Sequence, residues 1–318
     1  MLPEELIIRE ATTPSEKYGC DPFKRPLQDL IEFGIVVIDK PSGPTSHQVS
    51  AYVQKILGIT KSGHSGTLDP KVTGVLPVAT LKATRLMEYG LKAGKTYVGV
   101  MHLHADVEEY EIRKMAHDFI GQITQLPPKR SAVARKNRKR TIYSFKFLEI
   151  QGRDILFVAD VEAGTYIRKL CHDFGEKLGV GAHMAELRRT RAGPCNEEES
   201  ITLQELTDVY AEAKAGREEA FRKVFLPAET YVEHLPAIVV LESAIHSLTQ
   251  GATLKVPGIS AYSPGINANS QVRLLSPKGE LIGIGTSRLH EKYFAEDKGV
   301  AVKIDKVFME SSVYPRMS

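Results

Sequence analysis

A glycine-rich segment around a single carboxylate is the strongest candidate for chemistry in this sequence. The segment reads GHSGTLDP over residues 63–70, and Gly74 and the apolar stretch 75–78 follow it. Glycines let the backbone approach a ligand closely, and the apolar stretch indicates that Asp69 lies at the edge of a buried region. Because Asp-Pro pairs also start turns, Asp69 is either a turn residue or a reactive carboxylate that acts as a nucleophile or base.

A second candidate is the arginine of the segment GTYIR, residues 164–168. Arg168 falls in the first turn of a predicted helix, where the helix dipole disfavours a positive charge. The side chain therefore either extends into solvent or faces a carboxylate. If that carboxylate is Asp69, the arginine keeps it ionised and oriented.

Aromatic and basic residues on two further segments suggest contact with a nucleic acid. Tyr97, in KTYVG (residues 95–99), lies on a predicted strand and either packs in the core or stacks on an unpaired base. The segment LRRTR, residues 187–191, either contacts phosphates or forms a basic surface.

His64 has no partner at fixed spacing, so it does not indicate a metal site. The sequence lacks GxxxxGK[ST], GxGxxG after a strand, GxSxG and HExxH, the usual signatures of nucleotide hydrolysis, dinucleotide redox chemistry and zinc hydrolysis.

The net charge of +3 conceals a strong local excess of basic residues. Residues 129–191 carry 15 lysines and arginines against 7 aspartates and glutamates, a net of +8, whereas residues 192–236 carry 4 against 10. The most basic part is KRSAVARKNRKR, residues 129–140, with seven cations in twelve positions. Such a run is either a solvated loop or a nucleic-acid contact that gains affinity by releasing counterions from phosphates.

Composition places the chain among ordinary globular proteins. It has 318 residues, of which 42% are hydrophobic and 25% charged, and it contains no tryptophan. No apolar run approaches the roughly 20 residues of a membrane helix, and the acidic start does not resemble a signal peptide. The three cysteines are far apart, so they predict neither a disulfide framework nor a zinc site and favour a reducing cytoplasm.

Periodic patterns predict an α+β chain with two domains. Predicted strands cover residues 34–38, 96–101, 141–150 and 154–163, and predicted helices cover 46–57, 107–120, 167–179, 200–210 and 211–225. After residue 236, five short strands (238–241, 253–257, 272–275, 281–284 and 300–304) and one helix (243–250) suggest a small β-barrel. We therefore expect an N-terminal extension over residues 1–33, packing on the body or on the barrel, a catalytic domain over 34–234 and a barrel domain over 235–312.

Taken together, the motifs resemble those of the TruB-type pseudouridine synthases. DKPSGPTS (39–46), GHSGTLDP, KTYVG, GTYIR and LRRTR occur in the order and spacing of that family. The longer segment GVGAHMAELRRTR (179–191) is especially similar to archaeal members of the dyskerin branch, the catalytic subunits of H/ACA ribonucleoproteins. The C-terminal region resembles a PUA domain, with GA at 251–252 and VPGI at 256–259.

This resemblance implies a fold and a set of site residues. The fold would be a pseudouridine-synthase catalytic domain, with a mixed or antiparallel sheet flanked by helices, and a small C-terminal PUA β-barrel. Asp69 would be the catalytic aspartate, Arg168 its partner and Tyr97 the residue against the uracil ring. Substrate would also contact His64, Gly66, Thr67, Tyr166 and Leu187. The expected RNA contacts are Lys129, Arg130, Arg135, Lys136, Arg138, Lys139, Arg140, Arg188, Gly251 and Lys255.

The resemblance also implies an activity and partners. The enzyme would isomerise uridine to pseudouridine in rRNA, directed by an H/ACA guide RNA, and in the T-loop of tRNA, without metal or cofactor. Three small accessory proteins would assist: a zinc-ribbon protein, a small β-barrel protein and a kink-turn-binding protein of ribosomal type. No membrane partner is expected, and the chain end at Ser318, without a lysine-rich tail, favours an archaeal, cytoplasmic protein. Two alternatives remain: a non-catalytic RNA-binding scaffold, in which Asp69 only forms a turn, and a cytosolic hydrolase, which the lack of a second acid or metal cluster disfavours.

Overall fold

The computed structural model describes residues 2–91, 93–126 and 136–316. It divides into two compact units, one formed by residues 35–225 and the other by residues 1–34 together with 226–318. The helices are α1 Leu27–Glu32, α2 Ser46–Leu57, α3 Met87–Leu91, α4 Glu109–His117, α5 Ile167–Lys177, α6 Leu203–Lys214, α7 Glu219–Val224 and α8 Glu242–Thr249. The strands are β1 Ile7–Ile8, β2 Gly34–Lys40, β3 Ser62–His64, β4 Thr73–Thr80, β5 Lys95–Leu103, β6 Gly121–Gln125, β7 Arg138–Gln151, β8 Asp154–Val161, β9 Ala182–Ala192, β10 Cys195–Asn196, β11 Phe225–Pro227, β12 Ala237–Val240, β13 Leu254–Lys255, β14 Ile259–Tyr262, β15 Gln271–Leu275, β16 Leu281–Ser287 and β17 Val300–Val307.

The unit of residues 35–225 is built on a mixed sheet in the order β2-β4-β9-β5-β8-β7-β6. β5 lies in its centre, antiparallel to both β8 and β9. Along β5 every second residue is buried, because one face of the strand packs on the core. Side chains of β5, β8, α4 and α5 share this core, which includes Met101, Phe157, Ile112 and Phe174.

Two helices of this unit agree closely with the sequence prediction: α2 spans the predicted residues 46–57, and α5 begins at the predicted residue 167 and ends two residues before the predicted end. Thr45 and Gln48 form a capping box at the start of α2, and Gly58 ends that helix with a left-handed φ of 67°. In α5 the apolar residues Leu170, Cys171 and Phe174 lie on the buried face. The predicted helical face of α5 is therefore the one that packs on the sheet.

Several elements differ from the sequence prediction. α4 is shorter at both ends than the predicted helix over 107–120. The helix predicted over 211–225 is two pieces, because α6 ends at Lys214, Gly216 adopts a φ of 86°, and α7 starts at Glu219. β4 and β9 were not predicted as strands, since β4 is apolar on both faces and β9 carries three arginines.

The second unit contains a seven-stranded sheet in the order β1-β14-β12-β15-β16-β17-β13. β12 and β15 are parallel, and the other neighbours are antiparallel. The predicted hairpin around residues 277–280 is present between β15 and β16. The structure contains two strands beyond the five predicted. β14 directly follows the VPG segment, which is not typical of a strand, and β1 is only two residues long.

Buried polar contacts fasten the N-terminal segment within this second unit. Arg25 donates two hydrogen bonds, of 2.9 and 2.6 Å, to the carboxylate of Glu229, which is fully buried. The same carboxylate accepts a hydrogen bond from the backbone of Leu281 at 3.1 Å. Lys278 donates to the carbonyls of Tyr18 and Gly19. Since removal of one partner of a buried ion pair typically costs about 3–5 kcal/mol, Arg25 is a strong anchor for this segment. Within the described ranges, no helix is long and apolar enough to cross a membrane.

Candidate active site

The Asp69 loop joins β3 to β4 and is held in place by a serine at the start of α2. The backbone N–H of Leu68 donates to Ser46 Oγ at 2.9 Å, and the Ser46 hydroxyl donates to the Leu68 carbonyl at 3.3 Å. Both residues are buried. The backbone immediately before Asp69 is therefore fixed by a hydroxyl from 22 residues earlier in the chain.

A buried lysine holds the other side of the loop. Lys40, at the end of β2, is fully buried and donates from Nζ to the carbonyls of Pro41, Pro70 and Val72, each at 2.9 Å. Burial lowers the pKa of Lys40, and the negative charge of Asp69 partly offsets this by raising it. Lys40 thus places a positive charge next to the loop and provides hydrogen bonds to three carbonyl oxygens.

Asp69 and Arg168 form an ion pair between the loop and the first turn of α5. Arg168 Nη2 donates to Asp69 Oδ2, across 99 residues of sequence. The side chains remain 53% and 55% exposed, so the carboxylate is oriented yet open to a ligand. This pairing is the one that the position of Arg168 at a helix start suggested. A carboxylate that is held in place and accessible can act as a nucleophile or as a base.

Tyr97 lies in the hydrophobic core beside this loop. It is 8% exposed and belongs to the same core cluster as Leu68 and Val72, the neighbours of Asp69 in sequence. Leu187 on β9 is partly buried and packs against that cluster. At the point where β5 pairs with Leu187, a Cβ on Gly99 would lie 2.8 Å from the Glu186 carbonyl, so glycine permits the close approach of β5 and β9. Tyr97 and Leu187 thus contribute to the same apolar cluster, and most of the Tyr97 side chain is already covered by protein.

Tyr166 is positioned by a glutamine that the sequence did not single out. Gln125 Nε2 donates to the Tyr166 carbonyl at 3.2 Å, and Gln125 Oε1 accepts from the Tyr166 N–H at 3.0 Å. Gln125 is 2% exposed. A buried amide that pairs with both backbone groups fixes the turn before α5, and hence the direction of Arg168. No sequence pattern marks such a residue.

The remaining predicted substrate residues follow β3. His64 is half-buried, and no residue within the described ranges hydrogen-bonds its Nδ1. Burial, then the charges of His47 and Arg189, lower the pKa of His64, which favours the neutral imidazole. Gly66 adopts a φ of 72°, and Thr67 is exposed.

Two basic side chains, those of Arg189 and Lys95, lie close to Gly66. Arg189 is fully buried and donates from Nε to the Val75 carbonyl at 2.8 Å. A Cβ on Gly66 would lie 3.0 Å from Arg189 Nη1 and 3.0 Å from Lys95 Cε. Burial, followed by the charges of Arg189 and Arg191, lowers the pKa of Lys95 to about 8. Gly66 therefore lies against two basic side chains, of which the sequence analysis named only Arg189, as part of the LRRTR segment.

The predicted RNA contacts occupy several environments. Lys129, Arg130 and Arg135 lie outside the described residues. Lys136 and Lys139 are exposed, Arg138 is half-buried, and Arg140 forms a 3.3 Å ion pair with Glu162 while its guanidinium lies beside Gly164 of the GTYIR segment.

Arg188 differs from these residues because its charge is matched within the protein. It donates to both carboxylate oxygens of Asp39, at 2.9 and 3.0 Å, and to Glu197, and these acids raise its pKa. In the second unit, Gly251 follows α8 with a φ of 85° and has open space around it, and Lys255 is exposed. Contact of all these residues with RNA stays a prediction.

Comparison with known proteins identifies the family. Residues 54–167 match the N-terminal domain of TruB family pseudouridylate synthases, and residues 168–233 match the C-terminal domain of tRNA pseudouridylate synthase B. Residues 3–50 match the DKCLD (NUC011) domain and residues 236–308 the PUA domain. A protein of Pyrococcus furiosus, named probable tRNA pseudouridine synthase B, is 50% identical over 99% of this chain and 93% of its own length. The chain belongs to the TruB family of pseudouridine synthases.

Further relatives agree with this membership. A protein of the same name from Nanoarchaeum equitans is 48% identical over 98% of this chain and 90% of its own length. The predicted enzyme class is thus confirmed: this pseudouridine synthase is an isomerase.

Solved structures of similar proteins confirm the α+β fold with its C-terminal PUA domain. A chain from a Cbf5–Nop10–Gar1 complex is 48% identical, with a TM-score of 0.92 over 99% of this chain and 97% of that one. A chain from an H/ACA ribonucleoprotein bound to a substrate RNA containing 2′-deoxyuridine is 46% identical, with a TM-score of 0.91 over 99% and 98%. In the described part of this pseudouridine synthase, no group of three or more histidine, cysteine, aspartate or glutamate side chains is arranged to hold a metal ion.

Proposed function

We propose that Asp69 is the catalytic carboxylate of this pseudouridine synthase and that Arg168 orients it. The observation that carries the proposal is the ion pair between these two residues, on a loop clamped by Ser46 and Lys40 yet half-exposed to solvent. Tyr97 and Leu187 supply the apolar wall for the uracil ring, with Tyr166 beside them. His64, Gly66 and Thr67 line the approach of the substrate strand.

The reaction places three requirements on these residues. The bond between the ribose and uracil N1 breaks, the base turns, and a new bond forms between the ribose and carbon 5, which gives up its hydrogen as a proton while N1 gains one, so the base must be held while it is detached. The uridine must also leave its stack, which costs on the order of a few kcal/mol. Apolar contact with Tyr97 and basic contacts to the RNA backbone offset that cost. Asp69 acts as nucleophile or base through its carboxylate, and the hydrogen bond from Arg168 orients that carboxylate.

The substrates that we propose are rRNA uridines selected by an H/ACA guide RNA and the T-loop uridine of tRNA. Similar chains, 46–48% identical over almost the whole length, occur in complexes with Nop10 and Gar1 and with a substrate RNA. Curated relatives carry the name tRNA pseudouridine synthase B. We propose that this enzyme likewise assembles with small accessory proteins, among them a zinc-ribbon, a β-barrel and a kink-turn-binding protein, and that it acts in the cytoplasm.

Replacement of Asp69 by asparagine tests the proposal. The side chain keeps its size but loses the negative charge, so we expect Asp69→Asn to abolish pseudouridine formation and to leave RNA binding unchanged. Tritium release from RNA with 5-tritiated uridine, with and without guide RNA, measures turnover, and filter binding measures affinity.

Asp106→Asn is the matched control, because Asp106 is also an exposed aspartate paired with an arginine, Arg153. It should behave as the unmodified enzyme. Normal turnover by Asp69→Asn would mean that Asp69 is only a turn residue, as the scaffold alternative requires.

A further inference from the structure

Three histidines lie together on one face of the central sheet, away from the proposed catalytic site. His102 on β5 is directly opposite His183 on β9, with ring centroids 5.3 Å apart, and His104 follows two residues later. On its other side His102 pairs with Asp154 of β8. Tyr97 is on the buried face of β5, whereas His102, five residues further on, is on the half-exposed face. The cluster is therefore separate from the residues proposed to contact uridine.

The imidazoles of His104 and His183 face one another through ring nitrogens. His104 Nε2 and His183 Nδ1 are 3.0 Å apart, a hydrogen bond in which one of the two nitrogens carries the proton. Both residues are exposed, so an ion can reach them from solvent. Two nitrogens that bind one ion at about 2.1 Å lie roughly 3.0–3.4 Å apart when the angle at the ion is about 90–110°. The pair thus already has the spacing of a two-point chelate.

The start of β9 holds His104 in this position. The backbone N–H of His104 donates to the Gly181 carbonyl at 3.0 Å. A Cβ on Gly181 would lie 2.8 Å from His104 Nδ1, so glycine leaves the space that the imidazole occupies. Ligands that are held in place before an ion arrives lose less conformational freedom when they bind it.

The charges around the pair favour a cation. Arg153 donates to the His104 carbonyl at 3.4 Å, but its charge is matched by Asp106, whose two oxygens accept from it at 2.8 and 3.1 Å. Asp154 accepts a hydrogen bond from His102 Nδ1 at 2.7 Å and adds a negative charge beside the histidines. A carboxylate bonded to a histidine is also a common neighbour of metal ions in proteins.

The kind of donor selects the kind of ion. Imidazole nitrogens suit zinc, nickel and copper, whereas magnesium and calcium prefer oxygen ligands. Over the described ranges, no three histidine, cysteine, aspartate or glutamate side chains are already arranged to hold an ion. The site therefore has two protein ligands, and water fills the other coordination positions.

We propose that His104 and His183 bind one divalent transition-metal ion of the zinc type, through Nε2 and Nδ1 respectively. The proton of the hydrogen bond between them moves to the other nitrogen of the ring that carries it, so both facing nitrogens present lone pairs to the ion. The ion links the end of β5 to the start of β9. This site is additional to the isomerase activity, which needs no metal at this place.

Isothermal titration of the chelator-treated full-length protein with zinc, nickel and magnesium chlorides tests the proposal. We expect zinc and nickel to bind at this site and magnesium not to bind there. His104→Gln and His183→Gln should each weaken zinc binding by at least about tenfold, the smallest loss typical even of a residue that only supports a ligand. Zinc should also raise the midpoint of thermal unfolding of the unmodified protein, and not that of His183→Gln.

His117→Gln is the matched control, because His117 is an exposed histidine of α4 outside the cluster, and its zinc affinity should equal that of the unmodified protein. His102→Gln should have a smaller effect than His183→Gln, since it removes only a neighbour of the chelate. Equal zinc affinity of His183→Gln and the unmodified protein, or equal affinity for magnesium and zinc, would overturn the proposal. Asp69→Asn should bind zinc normally, so the metal site and the proposed catalytic role can fail independently.

Discussion

At the scale of single residues, the Asp69–Arg168 pair contributes orientation more than stability. Both side chains are more than half exposed, and ion pairs of that kind typically contribute only about 0–1 kcal/mol to folding. Their value lies in geometry, because Arg168 comes from a helix whose start is fixed by Gln125. Loss of the arginine should therefore affect turnover far more than folding.

We expect Arg168→Met to lower the single-turnover rate of pseudouridine formation by roughly 10²-fold, the penalty of a misplaced catalytic group. Its free energy of unfolding should change by no more than about 0.5 kcal/mol. Lys177→Met is the control, since Lys177 is another exposed cation of α5 and pairs with Asp118. Equal rates for the two variants would show that Arg168 does not orient the carboxylate.

Lys95 gives the second residue-scale prediction, which concerns pH. Its pKa of about 8 in the folded protein lies below the roughly 10.4 of lysine in an unfolded chain. Between these values the unfolded chain binds more protons, so this residue makes the free energy of unfolding rise with pH, by on the order of 3 kcal/mol over the window. Below about pH 8 both states are protonated and the contribution is constant.

Urea unfolding between about pH 7 and pH 10 measures this effect. Relative to Lys95→Met, the unmodified protein should gain stability as the pH rises above about 8. The exposed residue Lys61 provides the control, because Lys61→Met should leave the slope unchanged. Parallel pH profiles for the unmodified protein and Lys95→Met would contradict the low pKa.

At the scale of elements, the site depends on the point where β4 meets β9. These strands pair in parallel for only two residues, Thr73 with Arg188 and Gly74 with Arg189. Gly74 has a φ of 100°, and a Cβ there would lie 2.1 Å from the Arg189 carbonyl oxygen. The β4–β9 pairing thus requires glycine, and it joins the Asp69 loop to the strand that carries Leu187.

We expect Gly74→Ala to destabilise the protein by at least about 2 kcal/mol more than Gly43→Ala, the scale of an overpacked site. Gly43 has a similar φ of 113° with nothing within 4 Å, so the backbone strain is matched and only the collision differs. Chemical denaturation of both variants measures the difference. Similar losses would mean that β9 moves away to admit the methyl group.

At the scale of the whole molecule, the net charge is small because basic and acidic segments are adjacent in sequence. Several cations of the basic segment form ion pairs within the protein: Arg140 pairs with Glu162, Arg188 with Asp39 and Arg191 with Asp160. The cations left exposed are the ones expected to meet RNA. Lys136 and Lys139 are exposed in the described part of the basic run, and Arg138 is half-buried beside them.

Replacement of Lys136, Arg138 and Lys139 by alanine should weaken RNA binding and reduce the slope of log affinity against log salt by about 2, since each phosphate contact contributes roughly 0.7–0.9. Titrations with RNA at several salt concentrations measure the slope. The control changes Lys214, Arg217 and Lys223, which lie in the acidic segment, to alanine. An unchanged slope would mean that these three side chains are exposed to solvent without contacting RNA.

The sequence by itself determined the local elements and the family. α2, α5, β5 and β8 follow from periodicity and caps because their signals lie within a dozen residues. Asp69 stood out from its own neighbours, and the order of five motifs indicated the TruB family, which the comparisons confirmed. The α+β fold class could thus be predicted from short-range patterns, and the enzyme class from the resemblance of the motifs to the family.

Only the tertiary structure determined which residues contact one another through hydrogen bonds and ion pairs. Nothing local shows that Lys40 and Ser46 hold the Asp69 loop, that Gln125 fixes the turn before α5, or that each arginine of LRRTR has different partners. For the same reason the sequence did not predict strand β9. The physical reason is that a polar side chain inside a protein is placed by the partner that satisfies its hydrogen bonds and charge, and for Arg188 that partner, Asp39, lies 149 residues away.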